Sequence, residues 1–228
     1  MRISGIEKST LIDYPGKIAA TIFTAGCNFR CPFCYNPELV IPERIGELLP
    51  EKEVFNFLKD RKGFLNGVVI CGGEPTVQPD LKEFAEEIKK MGFAIKLDTN
   101  GSNPEILENI IALFDYIAMD VKAPKERYEQ VVGVEVDIPK IQRSIDLIKT
   151  KAKDYEFRTT MVPDLVKKED ILKIADWIKP AKKYFLQNFS NKQETIDKSF
   201  VLKKPFSDQY LEKTKKQVES FFDVCRIR

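Results

Sequence analysis

Short apolar runs alternate with amphipathic stretches along this chain, and that alternation limits the folds open to it. Ile18-Ala19-Ala20-Thr21-Ile22-Phe23 is mostly apolar and carries several β-branched residues. Such a run suits a strand buried on both faces, as in a parallel sheet. Val68–Cys71, Ala94–Leu97, Tyr116–Met119, Tyr155–Met161 and Tyr184–Leu186 read the same way. Between them, apolar residues recur at helical spacing. Val54, Phe57 and Leu58, with the stem of Arg61, predict a helix over Pro50–Lys62. Leu81, Phe84, Ala85, Ile88 and Met91 form one stripe over Asp80–Met91, and Gly92 supplies the stop. Further helices are expected over Pro104–Leu113, Pro139–Lys149 and Lys168–Ile178, and Ser207 is expected to cap a last one bearing Leu211, Val218 and Phe221. Arg2–Ile12 reads as a short extended lead-in, Asp13-Tyr14-Pro15-Gly16 as a turn and Val224–Arg228 as a terminal strand.

Strand followed by helix, six times over, implies α/β architecture: a parallel sheet with right-handed crossovers. Two forms remain open, a doubly wound sheet and an incomplete barrel, because a full eight-stranded barrel typically takes about 250 residues. No repeat, low-complexity segment or long linker divides the chain, so residues 1–228 are expected to form one domain.

Ligands in parallel α/β folds bind beyond the carboxyl ends of the strands. Cys27, Cys31 and Cys34 follow the first predicted strand, and Gly72-Gly73-Glu74-Pro75 the second. Asp98-Thr99-Asn100-Gly101 follows the third and Asp120-Val121-Lys122 the fourth. The fifth carries Arg158, and Gln187 and Asn188 follow the sixth. Polar and metal-binding groups thus gather at one end of the sheet.

The cysteines lie in Cys27-Asn28-Phe29-Arg30-Cys31-Pro32-Phe33-Cys34, a C-x3-C-x2-C spacing. Thiolates hold iron–sulfur clusters, and three of them on a four-iron cluster leave one iron open to a small molecule. The spacing alone also admits a zinc site with Cys71 as fourth ligand, or a redox pair. The chain has no histidine, which removes His-containing zinc sites, imidazole acid–base catalysis and Cys–His dyads. Gly72 and Gly73 permit backbone conformations and close approach that a Cβ would block. Asp98 and Asp120, at neighbouring strand ends, would repel unless a cation or ligand lay between them. Cys71 and Cys225 read as buried structural residues, and Lys213, Lys215 and Lys216 as a solvated helix face. Five cysteines, three of them within eight residues, fit a reducing cytoplasm. Lys and Arg number 37 against 35 Asp and Glu, a balance that argues against a bulk nucleic-acid binder. No apolar run reaches the roughly 18 residues of a membrane span, and Met1–Gly5 lacks the apolar core of a secretory signal.

The cysteine stretch, with Asp13-Tyr14-Pro15-Gly16 upstream and Tyr35-Asn36-Pro37 downstream, resembles the signature of the radical S-adenosylmethionine (radical SAM) enzymes. Within them it is most similar to the glycyl-radical-enzyme activases, and among those to the activating proteins of anaerobic ribonucleoside-triphosphate reductase. The likeness runs from about Arg2 to Met161 and thins out afterwards. It implies an open six-unit (β/α)6 partial TIM barrel and a [4Fe–4S] cluster on Cys27, Cys31 and Cys34 whose open iron chelates SAM. Reductive cleavage would give methionine and a 5′-deoxyadenosyl radical, which takes a hydrogen atom from a backbone glycine of a glycyl radical enzyme. By motif, Gly72, Gly73 and Glu74 would bind the SAM amino group. Asp98 and Asp120, with Lys122 nearby, would form a monovalent-cation and SAM-carboxylate site, and Arg158 would steady the carboxylate or ribose. Phe33 would lie near the adenine, and the backbone at Tyr35 would help seat it. A flavodoxin or ferredoxin would supply the electron. The chain departs from some activases in having Gln187, Asn188 or Phe189 where they place a histidine. It has neither a second cysteine cluster nor a large insertion to enclose a small substrate, which favours a macromolecular one. Two rival readings keep the motifs: the same radical chemistry on a small molecule such as a deazapurine precursor, and a non-enzymatic zinc protein.

Overall fold

The structure, a computed structural model, describes residues 1–228. One eight-stranded sheet runs through it with its strands in chain order: β1 (Ile3–Thr10), β2 (Ala19–Thr24), β3 (Gly67–Gly72), β4 (Ala94–Thr99), β5 (Tyr116–Asp120), β6 (Tyr155–Met161), β7 (Ala181–Asn188) and β8 (Phe222–Ile227). β1 is antiparallel to β2, and every later pair is parallel. Crossovers that each step to the next strand with the same hand curl a sheet toward a barrel. Tyr14, in the turn after β1, accordingly meets the ring of Tyr116 on β5 at 6.2 Å, and Arg228 beyond β8 reaches Glu156 on β6. No pairing joins β1 to β8, so the barrel stays open on that side.

The six expected strand–helix units are present from β2 to β7. The lead-in is a full strand, β1, and the chain end forms β8, so the sheet gains one strand at each margin. The helices are α1 (Pro37–Val40), α2 (Glu51–Asp60), α3 (Leu81–Lys90), α4 (Pro104–Ile110), α5 (Tyr128–Val132), α6 (Ile138–Lys151), α7 (Lys168–Ile178) and α8 (Asp208–Val218). Leu81, Phe84, Ala85 and Ile88 of α3 are buried, as their spacing predicts. Ser207 caps α8 by accepting the Tyr210 N–H, while Phe221 falls in a 3-10 turn beyond it. Helices α1 and α5, of four and five residues, are too short to show a period and were not expected.

Strand alternation divides the protein. Val68, Ile70, Ile95, Leu97, Ile117 and Phe157 point outward and are buried in the large apolar core with the helices. A small cluster of Tyr14, Ala19, Val69, Tyr116 and Ala118 fills part of the barrel interior. The remaining inward positions include Lys96, Asp98, Asp120, Glu156 and Arg158, and buried charges persist only where they are paired. No helix is long and apolar enough to cross a membrane.

Candidate active site

A cavity of about 290 Å³ opens at the carboxyl ends of the parallel strands. The loop after β2 contributes Cys27, Phe29, Cys31, Phe33, Cys34, Tyr35 and Asn36. Cys71 to Glu74 come from the end of β3, and Asp98, Thr99 and Asn100 from β4 and its turn. Asp120 and Lys122 enter from β5, Arg158 and Thr160 from β6, and Gln187 and Asn188 from β7. The three cysteines, Gly72, Gly73, Glu74, Asp98, Asp120, Lys122 and Arg158 therefore line one space, while Pro75, Gly101 and Val121 lie outside it.

The cysteine loop is held by its own backbone. Gly26 donates to the Leu39 carbonyl at 2.7 Å, Arg30 to the Val132 carbonyl at 2.8 Å, and Cys34 to the Cys31 carbonyl at 3.0 Å. The Arg30 guanidinium donates to the carbonyls of Cys27 and Phe29 at 2.6 and 2.8 Å. None of the five cysteines is in a disulfide. Burial pushes the Cys27 thiol up to about 12 and the Cys31 thiol to about 11, and raises Cys34 as well. The three thiols share the cavity without converging on a preformed metal site. A bound metal removes the proton from a coordinating thiol, so this set of soft donors with no competing imidazole suits iron–sulfur ligation. Cys71 enters the same cavity from the end of β3; burial raises its thiol, Asp98 adds to the rise, and Arg158 and Lys96 oppose it.

Gly72 and Gly73 bring the second turn flush against the cysteine loop. Gly72 has φ +121°, and a Cβ there would lie 2.2 Å from the Thr24 nitrogen. A Cβ on Gly73 would lie 2.0 Å from the Gly26 carbonyl oxygen, which accepts the Glu74 N–H at 2.8 Å. Glu74 is 1% exposed, and its carboxylate faces the neighbouring turn. Oε1 accepts the Thr76 N–H at 3.1 Å, the Thr76 hydroxyl at 2.5 Å and the Thr99 hydroxyl at 2.7 Å. Oε2 accepts the Asn100 N–H at 2.6 Å. Burial raises the carboxyl against the pull of those four donors. Glu74 thus bolts the turn after β3 to the turn after β4, and the Asn100 amide continues to Asn28 at 3.0 Å.

Arg158 answers the question raised by Asp98 and Asp120. The β5–β6 register sets Asp120 beside Arg158. Its Nε donates to Asp120 and its Nη1 to Asp98, both at 2.8 Å. Lys96 holds the other oxygen of Asp98, and Lys122 that of Asp120 at 2.9 Å. Burial alone would raise both carboxyls, but Arg158, then Lys96 for Asp98 and Lys122 for Asp120, outweigh it and hold them below the usual range. Burial likewise opposes the charge on Lys122, and Asp120, then Cys31, reverse that and hold it up. All four carboxylate oxygens are therefore engaged by side-chain cations. One layer deeper, Arg228 clamps Glu156 at 2.6 and 2.8 Å, and Tyr116 donates to the same carboxylate at 2.7 Å.

Phe33 is 5% exposed and forms apolar wall between the cavity and the core. The Tyr35 ring stacks on Phe189 at 5.7 Å, and its hydroxyl accepts the Ser190 N–H at 2.7 Å. This contact is the start of a feature absent from the sequence reading. After β7, residues 189–206 form a strap against the cysteine loop: Ile196 donates to the Cys34 carbonyl at 3.2 Å and Asp197 to the Pro32 carbonyl at 2.9 Å. Thr99 and Asn100 follow the third predicted strand, but nothing in their spacing marks them as the partners of Glu74.

Residues 21–178 match the radical SAM superfamily. A Methanocaldococcus jannaschii protein named as a glycyl-radical enzyme activating enzyme is 36% identical over 99% of this chain and 95% of its own length. The pyruvate formate-lyase-activating enzyme of Clostridium pasteurianum is 31% identical over 78% of this chain and 76% of its own. Among solved structures, Streptococcus suis SuiB bound to S-adenosylmethionine superposes with TM-score 0.67 at 16% identity, over 88% of this chain and 48% of SuiB. The chain thus spans about half of SuiB, and at that identity the likeness concerns the fold.

Proposed function

The chain belongs to the radical SAM superfamily, and we propose that it is a one-domain activase of that superfamily, generating a glycyl radical on a partner enzyme. The observation that carries this reading is the convergence of three free thiols, the Gly72-Gly73 turn and the Asp98–Arg158–Asp120 bridge on one cavity. The relatives named for glycyl-radical enzyme activation support the protein substrate.

Cys27, Cys31 and Cys34 would hold a [4Fe–4S] cluster. Given one electron from a reduced carrier, such a cluster would supply the reductive cleavage of SAM to methionine and a 5′-deoxyadenosyl radical. The chain's own residues do the rest. The backbone at Gly72 and Gly73, free of Cβ atoms, presents peptide groups to the SAM amino group, and the Glu74 bolt fixes their position. Arg158 and Lys122 face the cavity with donors that can turn to the SAM carboxylate or ribose. Phe33 offers an apolar wall to the adenine, and the backbone at Tyr35 lies beside it. Since Lys96, Lys122 and Arg158 already engage every oxygen of Asp98 and Asp120, we assign to them the positive charge that a monovalent cation would bring. The barrel's open side, between β1 and β8, admits a partner loop carrying the glycine. Five cysteines, none of them in a disulfide, support a reducing cytoplasm as the place of this activity.

The partner we propose is anaerobic ribonucleoside-triphosphate reductase. The test is to incubate reconstituted protein, SAM and a reductant with that reductase or with pyruvate formate-lyase, each deuterated at glycine. The reductase should show a glycyl-radical signal by electron paramagnetic resonance and pass deuterium into 5′-deoxyadenosine. A signal on pyruvate formate-lyase alone would reassign the partner. Turnover on a deazapurine precursor with neither protein present would overturn the activase reading.

A further inference from the structure

We propose that the outer surface of the strap 189–206 is a docking site for an acidic-faced one-electron carrier protein, an inference that rests on the radical SAM activase reading. The strap lies one backbone layer from two groups of the cysteine loop, through the Ile196 and Asp197 bonds to the Cys34 and Pro32 carbonyls. The last residue to line the cavity is Asn188, and none from 189 to 206 does. A protein bound there approaches the cysteine thiols while the cavity stays free for SAM and for the residue that yields its hydrogen atom. That geometry suits delivery of an electron and does not suit the hydrogen-atom donor, which has to reach the cavity.

The surface chemistry agrees. Lys192, Lys198, Lys203 and Lys204 stand on the strap against Glu194 and Asp197. Both carboxylates are occupied: Arg44 binds Glu194 through two bonds of 3.2 and 3.0 Å, and Asp197 accepts the Ser199 N–H at 2.9 Å. Lys203 is paired with Asp164 at 2.7 Å. Lys192 and Lys204 have no carboxylate partner, and Lys198, with its side chain 83% exposed, touches Glu194 only at 3.7 Å. Leu202, 84% exposed, stands beside Val201 within this basic rim. Exposed apolar residues on one segment with unpaired like charges are the pattern of a transient protein interface, where complementary charge steers encounter and fixes register. An acidic surface is the complement. In the step served, the carrier loses one electron and the cluster gains it; no bond forms or breaks between the two proteins.

The test compares wild type with a K192E/K198E/K204E variant and, separately, Leu202→Asp. None of these residues touches the cavity. A flavodoxin and a ferredoxin are the probes, with dithionite as the small-molecule control. Affinity is read by biolayer interferometry at low and high salt, and reduction of the reconstituted cluster by paramagnetic resonance. The wild type should bind at least one probe with an affinity that falls as salt rises. Charge reversal should weaken binding and slow carrier-driven reduction by about tenfold or more, with dithionite reduction within about twofold of wild type. Leu202→Asp should weaken binding while the salt dependence persists. Equal binding and equal carrier-driven reduction in wild type and charge-reversed protein would overturn the proposal, as would failure of both probes to bind wild type. If no reductant yields 5′-deoxyadenosine from wild type, the activase reading fails, and the binding comparison still decides the docking surface.

Discussion

Replacing Glu74 separates two roles that the same residue has been given. As a ligand contact, it would matter only when SAM is bound. As the bolt seen here, it holds the turns after β3 and β4 together whether or not SAM is bound. Glu74→Ala strips the acceptor from two buried backbone donors, Thr76 N–H and Asn100 N–H, and from two hydroxyls that can rotate elsewhere. Each orphaned buried N–H costs about 1–3 kcal/mol, so the pair costs about 2–6 kcal/mol. Water in the vacated space and relief from burying a carboxylate, whose protonation burial already favours, draw the figure toward about 3 kcal/mol. For a chain of this size that lowers the melting temperature by about 6–12 °C. Glu74→Gln keeps the shape and one acceptor, loses a charge-assisted bond, and should cost about half as much. The assay is thermal unfolding of the reduced, cluster-free protein followed by near-ultraviolet circular dichroism, with no SAM present. A Glu74→Ala protein that melts within about 2 °C of wild type, yet binds SAM poorly once reconstituted, would refute the bolt and restore the direct contact.

Arg158→Gln removes the bridge between Asp98 and Asp120. It should destabilise the protein by about 3–5 kcal/mol, as breaking a buried pair does. The variant's melting temperature should rise with potassium relative to choline, while wild type responds to neither; a potassium response in wild type would show that the guanidinium does not fill the cation's place. Gly73→Ala drives a methyl against the Gly26 carbonyl and should cost about 1–3 kcal/mol through displacement of the cysteine loop, read as lower iron content per chain after reconstitution. Unchanged iron binding would contradict the close approach. Asp98 is held below the usual carboxylate range when folded, so the unfolded chain takes up its proton first as pH falls. Its contribution is complete above the unfolded value near about 3.9 and is lost as pH drops through the folded value. Denaturant unfolding between about pH 5 and 3 should therefore fall more steeply for wild type than for Asp98→Asn, and equal slopes would count against the ion bridge.

The strand–helix order was legible because each buried strand carries a short apolar run and each outer helix a single stripe. α3 is the plain case: Leu81, Phe84, Ala85 and Ile88 of its predicted stripe are buried, Met91 is partly buried as the C-cap, and Gly92 follows. The strand-end rule also placed Asp98, Asp120, Arg158 and the three cysteines around one space before any contact was known. What the residues did not disclose was which atoms meet. That Arg158 is the cation between two carboxylates depends on register across β4, β5 and β6, which periodicity does not encode. The orientation of Glu74, toward the turn after β4, follows from turn geometry set by Gly72 and Gly73 and by their packing on Gly26. The strap was illegible for a different reason. It has no period, and its bonds join residues about 160 positions apart in the chain, Cys34 to Ile196 among them. At the margins, the terminal strand expected over Val224–Arg228 is found as β8, while β1 reads in the sequence only as an extended lead-in because it lies partly open to solvent and lacks a continuous apolar run.

The central claim is that Cys27, Cys31 and Cys34 hold a cluster that opens SAM. Anaerobic reconstitution with iron and sulfide, then dithionite and SAM, with 5′-deoxyadenosine measured by chromatography, tests it most directly. The account predicts a brown protein that forms 5′-deoxyadenosine and methionine, and a Cys31→Ala variant that forms neither while Cys225→Ala retains both. A colourless zinc-loaded protein, or a cluster that never cleaves SAM, would contradict it and return the three cysteines to a structural or electron-carrying role.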